Sequence, residues 1–259
     1  MQSFRFQAMI FNLRRTVAPS TSTRNLEING FNIPVILRRN AQARRFILKI
    51  GRKNHEVILT MPSGGCEIEA MDFAVSQAHW IKSRIEAQPD VIEFVPGATL
   101  PLRDVMHTID HRPNQRGTVW IDGDSEDANV SPVICIAGDE RHLPRRLKDW
   151  LKKQARSDLK CCVDIHSQTL NLRAKNIAIR DQTTRWGSCS SSGGLSFSWR
   201  LILAPSYVLD YVAAHEVAHL EEMNHGPRFW TLVEHCIPDY KHAQKWLKHS
   251  GRNLHFYGK

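Results

Sequence analysis

At 259 residues, 42% hydrophobic and 24% charged, the chain can fold as one large domain or two small ones with a proper core. No apolar run approaches the roughly 18 residues of a membrane-spanning helix, so no transmembrane segment and no membrane partner are expected. The net charge of +9 is concentrated: residues 141–180 hold eleven Lys/Arg against three Asp, which leaves the remainder near neutral and points to an anionic partner.

Residues 1–25 contain four arginines and no acid, the composition of a disordered basic tail or of an organelle transit peptide. The apolar piece AMIFNL is too short for a secretory signal, and a cytoplasmic location is expected. The six cysteines form no C-x-x-C pair, and adjacent Cys161 and Cys162 do not suit a disulfide framework, so reduced thiols are expected. A strand-rich subdomain is predicted over 26–138. Short segments around Ile33/Val35/Leu37, Phe46/Leu48/Ile50 and Val57/Leu59/Met61 alternate apolar and polar residues, as a half-buried antiparallel sheet requires. Residues 67–88 then have helical spacing, with Ile68, Met71, Val75, Ala78 and Ile81 or Ile85 on one side. Further strands and turns extend to Gly138, with GDSEDANVSP as an exposed hairpin loop, and no internal repeat is visible.

A catalytic subdomain is predicted over 139–259. It opens on a basic amphipathic helix over 144–164, whose Arg145, Arg146, Lys148, Lys152, Lys153, Arg156 and Lys160 offer a surface for nucleic acid. A strand over LRAKNIAIRD, a turn-rich Ser/Gly loop at 188–194 and a strand Leu195–Leu203 lead to a helix through Ala204–Asn224. Strands early and helices late give an α+β fold with antiparallel patterning throughout.

That last helix carries His215-Glu216-Val217-Ala218-His219. Residues four apart lie about 40° apart round a helix, so both imidazoles reach one ion. Glu216, about 100° from His215, sits beside the metal and is placed to act as general base. His225 lies six residues beyond His219 and joins them only if the helix stops. Asn224 and Gly226 tolerate the left-handed conformation that ends helices, and Pro227 suits the start of a new one. Three histidines leave the fourth position of a zinc ion open, the arrangement of a catalytic rather than a structural site.

The stretch from Thr184 to Trp230, TRWGSCSSSGGLSFSWRLILAPSYVLDYVAAHEVAHLEEMNHGPRFW, resembles the YgjP-like metallopeptidase family of the zincin superfamily, related to SprT/Spartan-type metalloproteases. The likeness runs from about Arg38 to about Trp246. It implies a zincin-like fold, one Zn2+ per chain on His215, His219 and His225, Glu216 as catalytic base, and peptide or protein substrates, including proteins bound to nucleic acid. Zincins bind peptide along an edge strand, a role for which Leu195–Leu203 with Ser196 is the candidate, and Trp186, Trp199 and Trp230 could line the cleft or simply pack. Arg185, Tyr207 and Tyr211 are candidates for the oxyanion, and Cys189 is a packing residue or a redox-sensitive thiol. The rival reading is a nucleic-acid- or protein-binding module with a structural zinc. Glu216 separates the two, because a structural site needs no base beside its metal.

Overall fold

The computed structural model describes residues 21–28, 31–51, 56–86, 90–122 and 132–258. Most of the expected tail, and all of the expected hairpin loop at 123–132 except Pro132, lie outside the described residues. The chain divides into two compact units after Gln88, not after Gly138 as the sequence suggested.

The first unit contains β1 (Thr21–Ile28), β2 (Phe31–Asn40), β3 (Ile47–Ile50), β4 (Val57–Pro62), α1 (Glu67–Ser76) and α2 (Ala78–Glu86). Strand β1 takes residues assigned to the tail, pairing antiparallel with β2 from Thr21 opposite Arg38. Alternation along β2 and β4 buries Val35 and Leu37 beside Val57, Leu59 and Met61. The predicted single helix is two, broken at Gln77, and its buried face is Ala70, Ala74 and Ile81. Ile68 and Val75 are 72% and 56% exposed. Within α1 the small residues Ala70 and Ala74, one turn apart, pack into the core with the strand residues in place of Ile68 and Val75.

The second unit holds β5 (Thr99–Leu102), β6 (Val105–His111), β7 (Val119–Asp122), β8 (Val133–Ile136), α3 (Leu143–Thr169), β9 (Asn176–Arg180), β10 (Gly187–Cys189), β11 (Gly194–Ser198), α4 (Ser206–Ala218), α5 (Pro227–Cys236) and α6 (Tyr240–His249). Its sheets run β5-β6-β8-β7 and β10-β11-β9, and the first unit's sheet runs β1-β2-β4-β3. In all three the last strand of a hairpin slots between its partner and an earlier strand. Each sheet therefore contains one parallel pair, β2/β4, β6/β8 or β9/β11, which corrects the expectation of antiparallel pairing throughout. The α+β class stands.

The boundary lies at 88/89 because β5–β8 and the helices share one core: Leu100, Leu102, Ile109, Ile134 and Ile136 join Leu143, Leu147 and Leu151 of α3. The buried stripe of α3 recurs almost every fourth residue, through Ala155, Leu159 and Val163 to His166. Such a stripe drifts about 40° per step, so it winds round the helix and lets α3 contact β7 and β8, then β9 and α4. Helix α4 is buried nearly all round, with Ala213, Ala214 and Ala218 allowing close approach by its neighbours.

Two polar clasps fix this arrangement. Arg200, 4% exposed in the 3-10 turn before α4, donates to Asp181 at 3.1 Å and to the carbonyls of Leu254 and Tyr257 at 2.9 and 2.6 Å. His166 of α3 meets Asp210 of α4, Nε2 to Oδ1, at 2.7 Å. Burial opposes charge on His166, but the bonds to Asp210 and Cys236 outweigh it and raise its pKa to about 9. Asp210 is itself desolvated by burial, yet its contact with His166 holds its carboxyl below the usual range.

The folded pKa of His166 exceeds its ordinary 6.5, so its contribution to stability is complete below about pH 6.5 and fades as pH rises through about 9. The melting temperature of wild type minus that of His166→Gln should therefore shrink between pH 6.5 and 9.5; a constant difference would remove the ion pair from the account.

Candidate active site

The active helix owes its placement to burial and its end to the turn that follows. Helix α4 stops at Ala218, with His219 capping it in right-handed geometry. The sequence had placed the stop at Asn224. Neither Asn224 nor Gly226 adopts a positive φ; Gly226 is extended (φ −78°, ψ −179°) and Pro227 opens α5 as expected. Instead the last carbonyls of α4 are taken up by backbone bonds from Leu220, Glu221 and Glu222. This tighter turn leaves room for the chain to come back.

It brings the three histidines together. Their ligand atoms lie within 4.8 Å of one another, the one such cluster of His, Cys, Asp or Glu among the described residues. Nε2 of His215 and Nε2 of His225 are 3.1 Å apart. Phe229, fully buried, forms the floor, its ring centroid 4.8, 4.5 and 4.8 Å from those of His215, His219 and His225.

Two of the imidazoles are held from behind, and the third residue is held through its backbone. His219 Nδ1 sits 2.9 Å from the carbonyl oxygen of Glu222, an acceptor, so Nδ1 carries the proton and Nε2 is left with its lone pair. His215 Nδ1 faces the hydroxyl of Tyr211 at 3.3 Å, and Gln244 of α6 donates to the same hydroxyl at 3.1 Å. Trp230 donates from Nε1 to the carbonyl of His225 at 3.1 Å, steadying the exposed third member. Burial, then the neighbouring His219 and His225, lower the pKa of His215 to about 3, so it is neutral and ready to ligate at any ordinary pH. Imidazole nitrogens converging at this spacing fit a metal ion.

Glu216 is 5% exposed, and its Oε2 is buried without a hydrogen-bond partner. Burial pushes its pKa up to about 8, with the charge of Arg185 acting the other way. Gly187 of β10 lies directly against it: a Cβ at that position would stand 2.6 Å from Glu216 Cγ and overlap the carboxylate. The sequence reading passed over Gly187. Its place in Arg185-Trp186-Gly187-Ser188-Cys189 was visible, but contact with a residue 29 positions away was not.

The other expected site residues divide. Arg185 is exposed and close enough to influence Glu216. Tyr211 is 5% exposed and stands behind His215, on the side away from Nε2, so it supports a ligand and does not face an oxyanion. Tyr207 stacks on His242. Trp199 is fully buried beneath Arg200, 4.5 Å from ring centroid to guanidinium carbon, and cannot line a cleft. Trp186 is half-buried and stacked on His255. The predicted strand Leu195–Leu203 stops at Ser198 and continues as a 3-10 turn over 199–203. Its Ser196 lies on β11, paired on both sides, and the edge nearer the active helix is β10. Burial, then the charge of Glu216, raise the pKa of Cys189, which makes its thiol less reactive.

These contacts distinguish two glycines. Gly187→Ala should lower stability by about 1–3 kcal/mol through overpacking against Glu216, whereas nothing lies within 4 Å of a Cβ at Gly226. Gly226→Ala should change stability by less than about 0.5 kcal/mol. Urea denaturation of both variants decides, and equal midpoints would show that the Gly187 contact is relieved without cost.

A solved structure, the metallopeptidase zymogen abylysin of Pyrococcus abyssi, is similar over 36% of this chain and 96% of its own, at 19% identity and a TM-score of 0.34, too slight a likeness to carry an argument. No curated protein matches the chain. The family model of the YgjP-like metallopeptidase domain, however, matches residues 44–250, a span that takes in β10, all three histidines and Glu216. The chain belongs to the YgjP-like metallopeptidase family and is a metal-dependent peptidase acting on peptide or protein substrates.

Proposed function

We propose that this peptidase uses one zinc ion per chain, held by Nε2 of His215, His219 and His225, with Glu216 as the general base. The observation that carries the reading is the pairing of three convergent imidazoles with a buried carboxylate whose Oε2 has no partner. When bound, zinc supplies Lewis acidity toward the scissile carbonyl and toward water. Glu216 takes up a proton at Oε2 and returns it to the departing amine. A carboxyl with a pKa near the working pH suits both halves of that task. A positive charge among the histidines lowers that pKa from about 8 and favours the basic form at neutral pH. Arg185 adds to the same effect and remains the candidate to bind the oxyanion.

Strand β10, not β11, presents the open edge. A peptide laid along Gly187–Cys189 as an added strand would pass directly over Glu216, with backbone hydrogen bonds supplying most of its hold. The bare Cα of Gly187 admits both the carboxylate below and the peptide beside it. A structural zinc module would have no use for a buried, unpartnered carboxylate at this point, and that burial carries a desolvation cost that only function offsets. Action on proteins bound to nucleic acid would depend on a second surface, away from the triad.

Glu216→Gln should retain zinc in the purified protein but lose about 10²–10⁴ in kcat/KM on a peptide library. Undiminished hydrolysis would end its assignment as base, and His225→Ala with unchanged zinc affinity would remove His225 from the ligands. Tyr211→Phe should weaken zinc binding by about 10-fold or more in a chelator competition, because His215 loses the partner that orients it. Identical competition curves would reduce Tyr211 to packing.

A further inference from the structure

At the edge of the three-stranded sheet opposite β10, a cavity of about 370 Å³ opens between the C-terminal half of α3 and β9. Arg156 and Lys160 rim it from the helix, and Arg173 and Lys175 from the segment entering β9. All four are exposed. The sequence offered one uniform basic helix, but the structure splits it. Arg145 pairs with Asp149, Arg146 with the carbonyl of Ala137, and Lys148 with Asp181. The first half of the helix is therefore largely committed within the molecule. Arg156, Arg173 and Lys175 have no acidic partner among the described residues, and Lys160 has only Asp164, one turn away.

We propose that this groove binds the phosphodiester backbone of a nucleic acid. Lys153, Arg156 and Lys160 follow one face of α3 at spacings of three and four, a row about 10 Å long. A row of that length matches a chain of phosphates better than a single anion. Two unpaired guanidiniums provide forked donors, the geometry that suits phosphate oxygens. The floor is apolar, with Val163, Leu172 and Ile177, which accommodates sugar and base faces. Asp164, the one carboxylate lining the cavity, pairs with Lys160 and repels any incoming anion, so it sets a limit on the affinity of the groove. The site does not depend on the triad, because β11 separates β9 from β10 and none of its residues is a ligand or neighbour of Glu216. A peptidase holding nucleic acid here keeps its β10 edge free for peptide.

The test uses the full chain and a labelled oligonucleotide of about 20 nucleotides, single-stranded and duplex, followed by fluorescence anisotropy from 50 to 200 mM salt. Affinity should fall steeply with salt. The triple variant Arg156→Gln/Arg173→Gln/Lys175→Gln should bind at least about 10-fold more weakly, with a salt slope reduced by about 2–3. Arg145→Gln, in the committed half, should bind within twofold of wild type. Asp164→Asn should bind several-fold more tightly, a gain that misfolding cannot mimic. An unchanged affinity and slope in the triple variant, no gain in Asp164→Asn, or displacement by polyglutamate as effective as by unlabelled oligonucleotide would each overturn the proposal. Peptide cleavage measured on the same preparations separates this result from the catalytic reading, since the triple variant should cleave as wild type does.

Discussion

A carboxylate held in an apolar core, with one oxygen unpartnered, is the constraint around which the second unit is built. Glu216 is the buried carboxylate on a helix that also buries Val208, Leu209, Val212, Ala213, Ala214, Val217 and Ala218. Leaving such a group without a hydrogen bond costs on the order of 1–3 kcal/mol and shifts it toward its neutral form. The surrounding structure therefore has to hold α4 firmly from several sides. It does so with α3, α5, α6 and β10, and with the clasps at Arg200 and His166. The same burial that makes Glu216 costly is what raises its pKa into the range useful for moving protons.

Support for the histidines comes from three separate elements, two acting on an imidazole and the third on the backbone of His225. The turn after α4 fixes His219 through a carbonyl, α6 reaches His215 through Tyr211 and Gln244, and α5 steadies His225 through Trp230. At His219 the rear nitrogen must donate to a carbonyl, which leaves the lone pair on the front nitrogen, so tautomer and position are set together. Phe229 packs against all three rings and closes one side of the cluster.

The basic surface shows how a row of cations spaced along one helix becomes uneven in space. The acids at 149, 164 and 181 neutralise particular lysines and arginines of α3, and two cations from the approach to β9 join those that remain. What is left is a short row of exposed cations above an apolar floor, at the edge of the sheet opposite β10, the strand proposed to take up peptide. One small sheet thus separates the two surfaces by the width of its middle strand.

The sequence by itself determined the local chemistry. His-Glu-x-x-His on a helix, a break before Pro227 and a third histidine depend on spacings of a few residues, which helical geometry converts directly into directions. The family likeness rested on equally local runs. The α+β class was legible for the same reason, since alternation and helical periodicity act within single elements. Tertiary structure decided everything that depends on residues far apart. It moved the unit boundary from 138 to 88, because β5–β8 bury their face on α3. It made one pair in each sheet parallel, since strand order depends on which edge a chain returns to and not on its own alternation. It ended α4 at Ala218 without a left-handed residue, buried Trp199, and turned Tyr211 from a facing group into a supporting one. And it set Gly187 against Glu216, a contact that no spacing announces, because it exists only where a sheet edge closes over a buried helix.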